Sequence, residues 1–196
     1  DDGRIQVPRP GTSFEGAGTW NLYSTIIGGT VRLDNNVPLV AQGNVSLDGV
    51  TLNGNLSIVQ NGQSVTITNG LTLNGTATIT NGSGYAAMRF VGTQTLDGTG
   101  TVVFGSSNDG RNALAVINAG TTLTIGAGIT VHGGYGTVGY NSQWSGSTNV
   151  NLINRGTISS DISGRYIIVE GTNWSNQGTM QAINGAILYA RGTWSN

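Results

Sequence analysis

The sequence predicts an all-β chain wound as a parallel β-solenoid, with coils of about 20–23 residues, and three observations carry that expectation. Gly, Thr and Asn together fill 79 of the 196 positions; these residues suit turns and pleated strands and fill a helix interior poorly. A tetrapeptide recurs: Thr51-Leu52-Asn53-Gly54 with Ile58, Thr72-Leu73-Asn74-Gly75 with Ile79, and Thr95-Leu96-Asp97-Gly98 with Val102. Thr124-Ile125-Gly126 with Val131 is a weaker copy, and the intervals between the threonines are 21, 23 and 29 residues. Short runs within each period alternate apolar and polar residues, as in Val65-Thr66-Ile67-Thr68, Leu71-Thr72-Leu73 and Thr76-Ala77-Thr78-Ile79. Such alternation marks a strand with one buried face.

Asx-Gly pairs separate the runs, among them Asp48-Gly49, Asn53-Gly54, Asn69-Gly70, Asn74-Gly75 and Asn81-Gly82. They normally signal two-residue hairpins, so an antiparallel sandwich is the first competitor. The period is about twice that of a hairpin and like residues recur in phase, which stacked coils explain and hairpins do not. The solenoid is expected to be right-handed, with two or three strands per coil and about eight coils at roughly 4.8 Å each. Residues 1–43 are expected to form a cap or first coil, and 44–196 the body, with an inserted loop at 132–149. Leu52, Leu73, Leu96 and Ile125 should form one inward column, and Ile58, Ile79, Val102 and Val131 another. Asn53, Asn74 and Asp97 should stack as a corner ladder.

A second repeat family follows: Asn154-Arg155-Gly156-Thr157-Ile158 returns as Asn176-Gln177-Gly178-Thr179-Met180, offset 22, and Trp174-Ser175-Asn176 returns as Trp194-Ser195-Asn196, offset 20. With its flanking Leu-Ile and Trp-Ser, this Asn-x-Gly-Thr-Ile/Met pattern resembles the repeats of large bacterial exported β-helix proteins, the filamentous-haemagglutinin-type exoproteins and autotransporter passengers. The resemblance covers residues 44–196. It implies a secreted or cell-surface stalk or adhesin whose partners are host or matrix glycans or cell surfaces.

Composition excludes several other classes. The chain has no Cys, hence no disulfide, thiolate nucleophile or thiolate metal site. Its eight basic residues are all Arg and the net charge is -1, so there is no basic field for nucleic acid. No run is long and apolar enough for a membrane helix, and Asp1 to Gly11 lack the regions of a signal peptide, so the chain reads as soluble and as a piece of something longer. Its last residues, Gly192 to Asn196, begin a repeat, which leaves an open coil edge and an expectation of end-to-end self-association.

Catalytic chemistry has few candidates. The acids are Asp1, Asp2, Glu15, Asp34, Asp48, Asp97, Asp109, Asp161 and Glu170, with His132 the single histidine. β-Helices also house polysaccharide lyases and hydrolases, and glycoside hydrolysis needs two carboxylates at a fixed separation. No such pair stands in the linear chain, so the expectation is a non-catalytic protein without cofactor or metal. Gly134-Tyr135-Gly136-Thr137-Val138-Gly139 fits the dinucleotide fingerprint, but the residues after it cannot start the helix that would hold a pyrophosphate. The polar run Ser106 to Asn112 reads as a turn rather than a calcium loop.

Residues 132–149 break the alternation, and solenoid insertions often carry recognition. Tyr135, Tyr140, Asn141, Gln143 and Trp144 could together stack on a sugar ring and bond its hydroxyls; the alternative is that the aromatics fold back over an apolar strip. A third function, ice binding by ranked Thr-x-Thr pairs, is suggested by Thr76-x-Thr78 and Thr99-x-Thr101. In the repeat phase, Asn55 to Ser57 below and Gly128 to Thr130 above break the rank.

Overall fold

The computed structural model describes residues 5–6, 12–14, 18–33, 37–79, 84–106 and 111–196. Every strand pairing among them is parallel, and each coil closes through three faces. Coil 4 shows the plan. Gln63–Leu73 covers the first face, bends at Asn69-Gly70 and continues on the second, and Thr76–Ile79 forms the third. These strands contain the three alternating runs read in the sequence. Stacking gives eight complete coils and two faces of a ninth, a parallel β-solenoid. Residues 1–43 contribute strands to two coils: Ile5–Gln6, Thr12–Phe14 and Trp20–Leu22, then Thr25–Ile27, Thr30–Leu33 and Leu39–Ala41.

The interior is one continuous apolar column system in which Leu47, Leu52, Ile58, Ile67, Leu73, Ile79, Phe90 and Phe104 are fully buried. Its phase differs from the repeat alignment at one step. Leu52 pairs with Leu73 as expected, but Leu96 pairs with Leu71, and Gly98 takes the place beside Leu73. On the third face Ile79 pairs with Phe104, while Val102 lies beside Ala77 and then Val131. The cause is the corner. In coil 4 Asn69 and Gly70 turn it with positive φ; in coil 5 the buried amide of Gln94 fills it, donating to the Ile67 carbonyl (2.7 Å) and accepting from the Gly70 N–H (2.8 Å). The second-face strand is thereby advanced by two residues.

The corner ladder changes with it. Asn74 donates to Asn53 at 2.8 Å, but the next rung is the Thr99 N–H, which donates to the Asn74 side chain at 3.1 Å. Asp97 pairs with Thr72 instead. A second ladder rises through the later repeats, where Asn154 donates to Asn176 and Asn176 to Asn196, each at 2.8 Å. Glycine beside these ladders has a steric reason. A Cβ on Gly75 would lie 2.1 Å from the Gly54 carbonyl, and one on Gly178 would lie 2.2 Å from that of Gly156. Corner backbones therefore stack more closely than any side chain permits. Asn81-Gly82 lies outside the described residues.

Leu73 remains fully enclosed, with Leu52 on one side and Gly98 and Gly100 on the other. Leu73→Ala should cost about 2–5 kcal/mol, whereas outward-facing Thr76→Val should stay within about 0.5 kcal/mol. Chemical denaturation of both variants checks this, with equal midpoints excluding the register described.

Candidate functional site

The segment 132–149 is only partly an insertion. Thr130–Gly133 and Gly136–Gly139 are third- and first-face strands, and the part that leaves the coil runs from Tyr140 to Val150. The glycines that mimic a dinucleotide fingerprint are packing residues. A Cβ on Gly136 would sit 2.2 Å from the Phe104 ring, and one on Gly139 would sit 2.0 Å from the Glu170 carbonyl. They accommodate the close approach of a neighbouring coil and hold no helix.

The outward positions of the first face grow small where the loop crosses them: Ala87, Ala113 and Ala115. Trp144 lies on this alanine strip, 8 % exposed, edge-on to Tyr85 at 5.3 Å, with its indole N–H donating to the Arg111 carbonyl at 2.8 Å. Asn141 caps the single 3-10 turn among the described residues, Ser142–Trp144, by accepting from the Gln143 N–H. Both ends of the loop are tied to the coils: at its start the Tyr140 N–H donates to the Glu170 carbonyl, and toward its end the Ser147 N–H donates to the Ile117 carbonyl and the Thr172 hydroxyl to that of Thr148. The loop is thus a fixed strap, and its tryptophan is spent on the scaffold.

Beside the strap lies a cleft of about 320 Å³ lined by Arg111, Thr137, Tyr140, Gln143, Glu170 and Arg191, with Asn141, Ser142 and Ile168. A second cleft, about 220 Å³, continues toward Thr172 and Thr193 and shares Tyr140 and Glu170 with the first. Tyr140 is half-buried against the core, its N–H donating to the Glu170 carbonyl at 2.8 Å. Arg191 approaches the Glu170 carboxylate at 3.6 Å. The cleft therefore offers guanidinium and amide donors, a carboxylate acceptor and a ring edge, the groups that engage polyols and sugars.

Of the five residues singled out in the sequence, Tyr140, Asn141 and Gln143 line this cleft, and Trp144 is covered. Tyr135 lies at the corner between third and first faces, bonded through its hydroxyl to Arg165 (2.7 Å) and edge-on to Tyr166 (4.8 Å). Arg111, Glu170 and Arg191 were not read from the sequence as a set, since they belong to coils 6, 8 and 9 and only stacking joins them.

His132 has a partner across coils: its Nδ1 lies 2.8 Å from Asp161 Oδ2, clamping coil 6 to coil 7, while Asp161 Oδ1 is buried without a hydrogen bond. Among the described residues no three His, Cys, Asp or Glu converge on a metal position. The described acids are dispersed, Asp48 accepting from Asn69 at 2.6 Å, Asp97 on the second-face strand beside Thr72, Asp161 on His132 and Glu170 near Arg191. Asp1, Asp2, Glu15, Asp34 and Asp109 lie outside the described residues, as does most of the 106–112 run. No described helix is long and apolar enough to cross a membrane.

The threonines differ from the repeat phase too. Thr101, not Thr99, pairs with Thr76, and the rank continues unbroken through Thr130, Thr157 and Thr179. Its neighbouring rank reads Thr78, Val103, His132, Ser159 and Gln181, so only one column of hydroxyls is regular on that face. No protein-family model matches the chain, and no curated protein or solved structure does either. The fold alone sets its class, that of the parallel β-solenoids.

If Trp144 pins the strap, Trp144→Ala should free residues 140–150 while the coils stay folded. Limited proteolysis should then cut within the strap, and strand circular dichroism should be unchanged; an uncut strap would show that the alanine strip does not hold it.

Proposed function

We propose that this chain is a non-catalytic structural and adhesive module of a secreted or bacterial cell-surface protein, and that the cleft at the foot of the strap is its glycan-binding surface. The observation that carries the reading is the pairing of a rigid, repetitive scaffold with one irregular element that builds a polar, ring-edged cleft. Recognition loops on rigid frames are the usual arrangement in repeat proteins. A sugar in the cleft would lay its apolar face against Tyr140, accept hydrogen bonds from Gln143 and the guanidiniums, and donate to Glu170. The dispersion of the described acids over separate partners supports assembly and recognition rather than turnover.

Shallow sites of this kind bind in the micromolar to millimolar range, about −8 to −4 kcal/mol. A glycan array should return a selective set of positives, and Tyr140→Ala and Gln143→Ala should each weaken the best of them about tenfold, a loss of about 1.4 kcal/mol. Trp144→Phe, which keeps the strap packed, should bind like the parent. A flat array response would leave the scaffold role alone.

A further inference from the structure

We infer that the second face carries a further ligand site, a shallow trough over coils 6 to 9 that takes a neutral glycan on the side-chain amides of Asn151 and Asn173. The trough shares no residue with the cleft beside the strap, which opens on the first face.

Parallel stacking builds the trough. Thr122, Asn151 and Asn173 form one outward rank; Ile153, Ser175 and Ser195 form another, two residues further along the same run of strands. Alternate residues of a strand stand about 6.6 Å apart and successive coils about 4.8 Å, so the two ranks frame a channel parallel to the solenoid axis. Its volume is about 300 Å³, and Leu152 and Trp174 lie between the ranks.

The amides of the first rank are left unbonded. Elsewhere stacked amides join across coils: Asn74 donates to Asn53, and Asn154 to Asn176, each at 2.8 Å. Asn154 and Asn176 lie on the same two strands as Asn151 and Asn173, three residues further on, so the separation of these coils permits a ladder. Asn151 and Asn173 are direct neighbours across those strands, yet neither side chain has a hydrogen-bond partner among the described residues. Asn151 is half-buried and Asn173 is exposed, and both line the trough. Each amide there holds N–H donors and a carbonyl acceptor in reserve.

The lining selects the ligand. None of its residues is ionisable, so nothing in the trough offsets the desolvation of a charged group. Donors and acceptors standing side by side match the adjacent hydroxyls of a pyranose, each of which gives and takes a hydrogen bond. Ser175 accepts from Gln177 at 3.4 Å and keeps its own hydroxyl proton for a ligand. Ile153 supplies an apolar contact for the C–H face of a sugar ring. Because Asn151 and Asn173 are successive rungs of one rank, a linear glycan laid along the axis meets an equivalent amide at coil 7 and at coil 8.

Nuclear magnetic resonance titration of the full chain with three neutral trimers, cellotriose, maltotriose and chitotriose, tests this. At least one should shift the side-chain amide signals of Asn151 and Asn173 and leave those of the laddered Asn154 and Asn176 in place. For that trimer, Asn151→Ala and Asn173→Asp, which removes the amide donor and keeps the shape, should each weaken binding about fivefold, the effect of one lost neutral hydrogen bond. Tyr140→Ala, in the strap cleft, should leave it within about twofold. A glucuronate trimer should bind more weakly than the neutral one. Strand circular dichroism checks that the outward-facing variants stay folded. Asn151 and Asn173 signals unmoved by all three trimers would overturn the inference and leave the reading of the strap cleft standing. So would binding that survives both asparagine variants, or tighter binding of the glucuronate trimer.

Discussion

Backbone hydrogen bonds on the coil faces run to the next coil, so a coil satisfies its own polar groups only by lying in register on its neighbours. That constraint organises everything else. Because like positions stack directly, an inward residue must tolerate what lies above and below it, and amide side chains at corners find each other, as Asn154, Asn176 and Asn196 do. The same closeness expels Cβ atoms where corner backbones approach, which is why glycine sits beside the ladders at Gly75 and Gly178.

The cleft arises from a local relaxation of this regularity. Phe104 fills the interior where Gly136 leaves room, and on the outside Ala87, Ala113 and Ala115 shrink the first face so that Trp144 can lie on it. Large inside against small, and small outside against a folded-back ring, are two halves of one packing solution. The strap they hold down carries Tyr140 and Gln143 to a place where Glu170 and Arg191 rise from later coils. A site on such a solenoid is built along the axis, from residues far apart in the chain and close in space.

Much of the fold was legible in the sequence, because alternation and the 21-residue interval report strand and coil directly. The phase after coil 4 was not. Thr95-Leu96-Asp97-Gly98 looks like Thr72-Leu73-Asn74-Gly75, yet the coil-5 corner, which turns at left-handed Gly92 and is filled by Gln94, is longer than the Asn69-Gly70 corner and moves the look-alike by two positions. The Asp97 rung, the placing of Leu96 beside Leu73 and of Val102 beside Ile79, and the break in the threonine rank above Thr76 all inherited that single slip, whereas Leu96 on Ile125, Val102 on Val131 and the break at Asn55 to Ser57 stand as read. In the strap, residue types pointed to a polar, ring-bearing surface, but they could not tell a ring available to solvent from one on alanines; the Ala-x-Ala at 113–115 is the signal that distinguishes Trp144. The His132–Asp161 clamp and the Glu170–Arg191 pair span coils, so no local pattern announces them.

The architecture depends most on the register across coils 4 and 5, and paired cysteines in a chain that otherwise has none read it directly. Thr76 and Thr101 are outward neighbours on adjacent third-face strands, within the Cα separation of roughly 4.4–6.8 Å that a disulfide spans. Thr76→Cys with Thr101→Cys should therefore form an intramolecular disulfide under mild oxidation, while Thr76→Cys with Thr99→Cys should remain largely reduced. Preferential closure of the 76–99 pair would contradict the stacking described.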